Sequence, residues 1–173
     1  MDEQYYSFWE SPYNSDRALS PRAALQNTIA SLRRLTNPTA KVSTHKVTLN
    51  GESAKLGAYT INGSNYFKLR DLAKALDGLN TNFEVKWNAA QQRIDLTSKT
   101  AYTPVGGEQA ALPAGNKAAS LTSAAVYLDG NPLSLTAYSI GGNNYFKLRD
   151  LVFALGFSVD WDNATSTVTI SAQ

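Results

Sequence analysis

Two tryptophans are the side chains in this 173-residue chain best suited to hold a ligand. The indole ring of Trp87 or Trp161 offers a large apolar face with one polar edge, which suits stacking on a sugar ring. The same rings are also able to pack inside a small domain, and their place within a repeated pattern favours that interpretation. We therefore keep a packing role and a carbohydrate-binding role open for both tryptophans and favour packing.

Two arginine–aspartate pairs form a second candidate group. Arg70 with Asp71, and Arg149 with Asp150, could bind a polar ligand. An aspartate in the first turn of a helix is also stabilised by the helix dipole, and an exposed ion pair contributes only about 0.2–1 kcal/mol. We favour the structural interpretation, which is a local ion pair at the start of a helix.

Catalytic and metal-binding residue types are scarce. His45 is the only histidine, and the chain has no cysteine. Zinc and copper sites usually take two or three imidazoles, and a serine–histidine–aspartate triad could use only His45. We expect no catalytic residue, no metal and no cofactor, so the chain is predicted not to be an enzyme. His45 is interpreted as a solvated connector residue.

Charge and hydropathy narrow the class of partner. Lys plus Arg is 16 and Asp plus Glu is 14, a net charge of +2, which is too small a bias to predict binding to nucleic acid or to an anionic membrane. No run approaches the ~20 apolar residues that span a bilayer, so no membrane insertion is expected. Acidic residues follow Met1, where a signal peptide would have basic and apolar regions. We expect either a cytosolic chain or a piece of a larger secreted protein.

An internal repeat organises most of the chain. The sequence NYFKLRDL occurs at Asn65–Leu72 and again at Asn144–Leu151, and the similarity continues on both sides of it. Trp87 and Trp161 occupy equivalent places near the ends of the two copies. A copy of about 50 residues is marginal as an independent domain. The copies are therefore expected to pack on each other or on the N-terminal segment, the alternative being two separate beads.

Each copy predicts the same order of elements. A strand ends at Asn50-Gly51 in the first copy and at Asp129-Gly130 in the second, and both dipeptides favour a type I′ hairpin turn. From Leu69 to Leu76 the apolar residues recur at helical spacing. The predicted fold class is α+β, with two tandem β-β-β-α-β-β repeats, each a small antiparallel sheet packed on one helix, and an N-terminal helical segment.

The predicted organisation has four parts. Residues 1–40 form an aromatic and helical N-terminal extension, and residues 46–98 form the first repeat. Residues 99–122, rich in alanine, glycine and proline, form a linker, and residues 124–173 form the second repeat. Structural roles are assigned to the signature residues Tyr66, Phe67, Arg70, Asp71, Tyr145, Phe146, Arg149 and Asp150.

Three further aromatic residues could contact a partner. Trp9 and Tyr13 belong to an aromatic cluster near the N-terminus, which either packs on a repeat or forms a partner-binding strip. Phe153 stands where the first copy has Lys74. It is either an exposed aromatic residue or a contact between the copies or with the N-terminal segment, and we favour the contact. The candidate binding residues are Trp9, Tyr13, Trp87, Phe153 and Trp161.

The two copies resemble the copper amine oxidase N-terminal-domain-like repeat, also called the stalk domain. The resemblance rests on NYFKLRDL, the Ala-Leu pair that follows it and the later tryptophan of each copy. It implies a small antiparallel sheet packed on one helix. It also implies a secreted or surface-exposed setting in Gram-positive bacteria, often beside enzymatic or wall-associated domains. Amine oxidase activity itself needs three histidine ligands for copper, and only His45 is present.

These observations predict a non-catalytic tandem stalk-domain module of a bacterial secreted or cell-surface protein. It would act as a spacer, a scaffold or a binding module for a cell-wall polymer or a protein partner. One alternative is a carbohydrate- or peptidoglycan-binding module that uses exposed aromatic residues, and another is an accessory part of a larger secreted enzyme. Contacts between the repeats, or between copies of the chain in a homo-oligomer, are further candidate interactions.

Overall fold

A computed structural model describes residues 21, 22, 25, 26, 28, 37–122 and 124–172. The chain separates into two compact units, residues 1–36 and residues 37–173. The described positions of the first unit are helical, as predicted for that part of the N-terminal extension. Trp9 and Tyr13 lie outside the described residues. Both repeats belong to the second unit.

The second unit is mostly β, with fifteen strands and two helices among its described residues. The elements up to the end of the first copy are β1 (Thr39–Val42), β2 (Lys46–Leu49), β3 (Glu52–Ser53), β4 (Ala58–Ile61), β5 (Ser64–Lys68), α1 (Leu69–Leu76), β6 (Phe83–Asn88) and β7 (Arg93–Ser98). The segment between the copies contributes β8 (Lys117–Ala118) and β9 (Ser120–Leu121). The second copy contains β10 (Ala125–Leu128), β11 (Asn131–Leu133), β12 (Ala137–Ile140), β13 (Asn143–Lys147), α2 (Leu148–Leu155), β14 (Ser158–Asp162) and β15 (Thr167–Ser171).

The largest sheet contains strands of both copies and closes on itself. Its strand order is β8-β1-β4-β5-β13-β12-β9. The two end strands, β8 and β9, are separated only by Ala119, so the first and last strands of the sheet run into each other. The copies meet at its centre, where β5 and β13 pair antiparallel and Phe67 lies opposite Phe146.

The inner face of this closed sheet carries a tyrosine-rich core. Its buried residues are Ala40, Tyr59, Ile61, Tyr66, Ala119, Tyr138, Ile140 and Tyr145. The ring of Tyr59 meets that of Tyr145 edge-on with centroids 5.0 Å apart, and the repeat-related rings of Tyr66 and Tyr138 do the same at 5.3 Å. Burial raises the pKa of both Tyr66 and Tyr145 to about 12, so these phenols are neutral at ordinary pH.

Two smaller sheets are built by an exchange of hairpins between the copies. In one, β10 of the second copy pairs parallel with β7 of the first, and the strand order is β11-β10-β7-β6. In the other, β2 of the first copy pairs parallel with β15 of the second, and the order is β14-β15-β2-β3. Each copy therefore completes a small sheet only with a hairpin that belongs to the other copy.

This exchange differs from the prediction of two units that each hold their own antiparallel sheet. The predicted tight turns are present, since φ is 51° at Asn50 and 86° at Gly51, with 50° at Asp129 and 81° at Gly130. A turn specifies how its own two strands pair, but it does not specify which sheet edge the hairpin then joins. Here the parallel pairings carry each hairpin into the other copy.

One hydrophobic core joins the outer face of the closed sheet, both helices and both smaller sheets. Helix α1 buries the leucine stripe predicted from the sequence, Leu69, Leu72 and Leu76. Helix α2 ends at Gly156, whose left-handed φ of 74° lets its N–H donate to the carbonyl of Val152 at 3.0 Å. Because the core is continuous, the two copies share their main source of stability.

The predicted linker begins with a segment that lies on the first copy, residues 101–112, here called the strap. Glu108 organises the strap, because its carboxylate accepts hydrogen bonds from the N–H groups of Val105 (2.8 Å) and Gly106 (3.0 Å) and from the hydroxyl of Tyr102 (2.8 Å). These bonds, with that from Val105 foremost, lower the pKa of Glu108 to about 2. The strap is thus held by a carboxylate that must stay ionised.

The strap is fastened to the start of α1. The N–H of Gln109 donates to Oδ1 of the fully buried Asp71 at 3.0 Å. The ammonium group of Lys68 donates to the carbonyl of Gly107 at 3.1 Å. Both groups at the helix start therefore have partners in the strap.

A glycine in the first copy makes room for the strap. Leu112 approaches Gly57 so closely that a Cβ atom at residue 57 would lie 2.8 Å from Leu112 Cγ. The second copy has Thr136 at the equivalent position, and the N–H of Thr136 donates to Asp150 Oδ2 at 2.9 Å. The strap and its contacts therefore distinguish the two halves.

Candidate functional site

Two open clefts lie at equivalent places in the repeated structure. The first cleft has a volume of about 190 Å³, and the second a volume of about 660 Å³. Residues lining the first cleft include Lys68, Arg70, Lys86, Trp87, Asn143 and Asn144. Residues lining the second cleft include His45, Asn65, Lys147, Arg149, Asp160 and Trp161.

Each cleft is built from both copies. The helix start and the tryptophan strand come from one copy, which means α1 and β6 in the first cleft and α2 and β14 in the second. The opposite wall comes from the other copy, with Asn144 in the first cleft and Asn65 in the second. Since β5 and β13 pair at the centre of the closed sheet, each copy carries its Gly-containing turn to the helix start of the other.

The two tryptophans singled out in the sequence each line one cleft. Trp87 is 50% exposed in the first cleft, and Trp161 is 36% exposed in the second. Each stands on a two-stranded hairpin, opposite Ile94 or Val168 in the neighbouring strand. Packing therefore uses only part of each ring, and the rest is open to a ligand.

Trp161 is held in one orientation. Its indole N–H donates to Asn163 Oδ1 at 2.9 Å. The ring of His45 meets it edge-on, with centroids 4.5 Å apart. The second cleft therefore presents an aromatic ring that is already positioned by two neighbours.

The cations of the two clefts differ in their partners. In the first cleft, Lys68 lies 3.4 Å from Asp71 Oδ1 and also donates to the strap. Its counterpart in the second cleft is Lys147, and Arg149 is the neighbouring cation. Within the part of the chain that the structure describes, ion pairs are formed only by Lys68 with Asp71 and by Arg93 with Asp95. The charges of Lys147 and Arg149 are therefore free to meet a ligand.

One position in the clefts changes the sign of its charge between the copies. Lys86 precedes the tryptophan of the first cleft, and Asp160 precedes that of the second. The carboxylate of Asp160 accepts a hydrogen bond from the N–H of Trp161 at 2.8 Å. Asp160 therefore stabilises the local backbone of β14.

The residues of both clefts, apart from His45, fall within the range of a single family match. A sequence model of the copper amine oxidase N-terminal domain family matches residues 48–170, which is more than half of the chain. The chain belongs to this family. The copper amine oxidase N-terminal domain is the non-catalytic N-terminal part of such oxidases. No curated protein and no solved structure matches the chain.

The described residues of this family member contain neither a group of metal ligands nor a membrane-spanning helix. No group of three or more His, Cys, Asp or Glu side chains there is placed to hold a metal ion. No helix in those residues is long and apolar enough to cross a membrane.

His45 lies in the connector between β1 and β2, as predicted, but it is not fully solvated. His45 is partly buried, lines the second cleft and packs on Trp161. Its Nδ1 atom is buried without a hydrogen-bond partner in the described residues. The sequence offered no signal for this contact, because His45 immediately precedes β2, which crosses to pair with β15 of the other copy.

Asp71 and Asp150 lie in the first turns of α1 and α2, as predicted, but the ion pairs with the adjacent arginines are not formed. Asp71 pairs with Lys68 three residues earlier, and not with the adjacent Arg70. Adjacent residues of a helix do not face each other, whereas residues three apart do. Asp150 accepts a backbone hydrogen bond and has no ion pair with Arg149 among the described residues.

The aromatic signature residues lie in the two cores. Tyr66 and Tyr145 are buried inside the closed sheet. Phe67 and Phe146 are buried on its outer face, in the core that the copies share. They belong to the framework that positions the clefts.

The favoured contact of Phe153 with the other copy is not formed, whereas its contact with the N-terminal segment stays a prediction. Its side chain is 91% exposed on α2. The helix buries Leu148 and Leu151, and Phe153 projects from the opposite side. Phe153 is absent from the lining of both clefts, so it offers a useful comparison for the two tryptophans.

Proposed function

We propose that this chain is a non-catalytic binding module of a larger secreted or cell-surface protein, and that its clefts bind saccharide units of a cell-wall polymer. The observation that carries the proposal is the pair of partly exposed tryptophans, Trp87 and Trp161, each beside an open cleft. Stacking on a sugar requires an open aromatic face and nearby hydrogen-bonding groups, and it requires no reactive residue.

The second cleft has the chemistry that a sugar ring needs. The indole of Trp161 covers the apolar C–H face of a pyranose. Ser64 and Asn65 line the cleft and offer donors and acceptors to the hydroxyl groups. The volume of about 660 Å³ lies within the roughly 300–1,000 Å³ typical of ligand pockets. Because His45 and Asn163 already orient Trp161, little side-chain freedom is lost on binding.

The repeat provides two such sites in one folded unit. A polymer with many sugar units is able to engage both clefts, and the second contact then forms at a high effective concentration. The module is therefore expected to hold a polymer more tightly than it holds a single sugar. A duplicated module also suits a spacer or scaffold that anchors a larger protein to a wall.

The proposal is tested by retention of the purified chain on Gram-positive cell-wall sacculi. Saturable retention is expected for the wild type. Trp161→Ala should weaken it strongly, and Trp87→Ala more weakly, because the second cleft is the larger. Phe153→Ala is the control, since it removes an aromatic ring that is 91% exposed and lies outside both clefts.

Three outcomes would contradict parts of this proposal. Unchanged retention of the double variant Trp87→Ala/Trp161→Ala would remove the clefts from the binding surface. No saturable retention of any form would favour a spacer without affinity for the wall. Specific turnover of an amine or a glycan by the isolated chain would refute the non-catalytic role. Thermal unfolding of each variant establishes that a loss of retention is not a loss of fold.

A further inference from the structure

On the basis of the proposed function, we infer that the second cleft selects a saccharide that carries an anionic group. Arg149 and Lys147 bind that group while Trp161 stacks on the ring. This inference names the ligand class of one cleft and separates it from the other, repeat-related cleft.

The two cations of the second cleft lack ion-pair partners among the described residues. Arg149 is exposed, Lys147 is partly buried, and both line the second cleft. In the first cleft, the equivalent lysine, Lys68, is already occupied by Asp71 and by the carbonyl of Gly107.

The guanidinium group of Arg149 suits an anionic ligand. Its planar arrangement of N–H donors matches the two oxygens of a carboxylate or of a phosphate. Arg149 stands at the start of α2, and Trp161 lines the same cleft from β14. A ring on the indole thus has the cation within the same cleft, which suits a sugar with a charged substituent.

The carboxylates near this cleft have other partners. Asp160 accepts the N–H of Trp161 at 2.8 Å, and Asp150 accepts the N–H of Thr136 at 2.9 Å. Asp160 is the carboxylate that lines the cleft, against the two cations Lys147 and Arg149. The lining therefore has an excess of positive charge.

The first cleft has Lys86 where the second has Asp160, but this does not make it the better site. Its volume is less than a third of that of the second cleft. Arg70 and Lys86 of the first cleft also have no ion-pair partner among the described residues, since Asp95, opposite Lys86 in the register of β6 and β7, pairs with Arg93. Size, and not the number of unpaired cations, therefore separates the two clefts. A sugar with a bulky anionic substituent therefore fits the second cleft better.

The inference is tested with three probes by titration calorimetry: an oligoglucuronate, its methyl ester and a phosphorylated gluco-oligosaccharide. The wild type should bind an acidic probe more tightly than the ester, and added salt should weaken only the acidic complex. Arg149→Gln should weaken the acidic complex about tenfold, the effect of losing one charged hydrogen bond, and leave the ester unaffected. Lys147→Gln should act in the same direction.

Lys74→Gln is the control, because it removes an exposed cation that lines neither cleft. It should leave the acidic complex unaffected. Arg70→Gln makes the same change at the repeat-related position of the first cleft and should weaken the acidic complex less than Arg149→Gln does. Arg149 is exposed, so its substitution should leave the thermal unfolding midpoint unchanged. Tighter binding of the oligoglucuronate would identify carboxylate as the recognised group, and tighter binding of the phosphorylated probe would identify phosphate; both results support the inference.

Three results would overturn it. Equal affinity for the acid and its ester would remove the anionic preference and leave the proposed saccharide binding intact. An equal loss from Arg70→Gln would take the site away from the second cleft. If sacculi retain the chain but no acidic probe binds, the anionic preference is refuted and the proposed function stands. If sacculi do not retain the chain and no probe binds, both the inference and the proposed function are refuted.

Discussion

Phe67 and Phe146 lie opposite each other in the pair of strands where the two copies meet. They are the same residue of the repeat, so this contact marks the local twofold relation between the halves. Both rings are almost completely buried in the shared core. The pair therefore contributes to the core that holds the two copies together.

The first prediction concerns this pair. Phe67→Ala should lower the free energy of unfolding by about 3–5 kcal/mol, because it leaves a cavity in a closed core. Urea denaturation followed by circular dichroism measures the change. Phe153→Ala is the control, and at an exposed site it should shift the value by about 0.5 kcal/mol or less. A similar small shift in both variants would contradict the role given to the pair.

The second prediction tests the exchange of hairpins. The hydroxyl oxygens of Thr48 and Thr169 are 3.3 Å apart across the parallel pair β2–β15. The double variant Thr48→Cys/Thr169→Cys should form a disulfide on oxidation and raise the free energy of unfolding by about 2–4 kcal/mol. The chain has no native cysteine, so mispairing is excluded.

Thiol titration and denaturation with and without reductant provide the measurement for this disulfide. The reduced double variant is the control, since it carries the same substitutions without the bond. Two free thiols after oxidation would mean that β2 and β15 are not neighbours, and each copy would then keep its own hairpin.

The third prediction concerns the strap. Gly57→Ala should lower the free energy of unfolding by about 1–3 kcal/mol, because the new methyl group would overlap Leu112. The double variant Gly57→Ala/Leu112→Ala should lose less than the sum of the two single variants, since the clash is then relieved. Additive losses in a double-mutant cycle would show that Leu112 does not lie over residue 57.

The fourth prediction concerns acid stability. Hydrogen bonds from the strap lower the pKa of Glu108 from 4.5 to about 2, so its ionised form stabilises the folded state. This contribution is complete above the ordinary value and is lost as the pH falls from about 5 towards 2. Glu108→Gln should therefore be less stable than the wild type at neutral pH and should approach it in acid.

Thermal unfolding midpoints measured between pH 2 and pH 7 provide the test for Glu108. Other carboxylates with lowered pKa values, such as Glu84 and Asp129, remain in both proteins, so only the difference between the two curves is diagnostic. A constant difference across the whole range would show that the charge of Glu108 does not stabilise the strap.

Short-range structure was predictable from the sequence because the responsible residues are close together in the chain. Asn50-Gly51 alone is sufficient to favour the turn that the structure contains. The leucine spacing from Leu69 to Leu76 predicts both the helix and its buried face. Each of these features depends on a few neighbouring residues.

The pairing of the hairpins was not predictable in this way. Val126 of β10 lies opposite Ile94 of β7, but the second copy has Val168 at the position equivalent to Ile94. The two edges offer almost the same chemistry, so local preference does not distinguish pairing within a copy from pairing between copies. We infer that the connection between the copies and the shared core favour pairing between the copies.

The candidate site was predictable only in part for the same reason. Trp87 and Trp161 are recognisable as aromatic rings at equivalent positions of a repeat. Of the neighbours that give the second cleft its character, Asn65 belongs to the first copy and His45 immediately precedes that copy. Their approach to Trp161 follows from the exchange, which leaves no mark in the local sequence.

The exchange of hairpins has an evolutionary consequence. Two separate, identical chains joined in this way would form a symmetrical dimer, and every mutation of their gene would alter both clefts at once. Duplication within one gene removes that constraint while it keeps the interlocked architecture. The strap, Gly57 and Lys86 on one half, and Thr136 and Asp160 on the other, are differences that two identical chains could not carry. A single duplicated chain thus allows the two clefts to differ within one interlocked architecture.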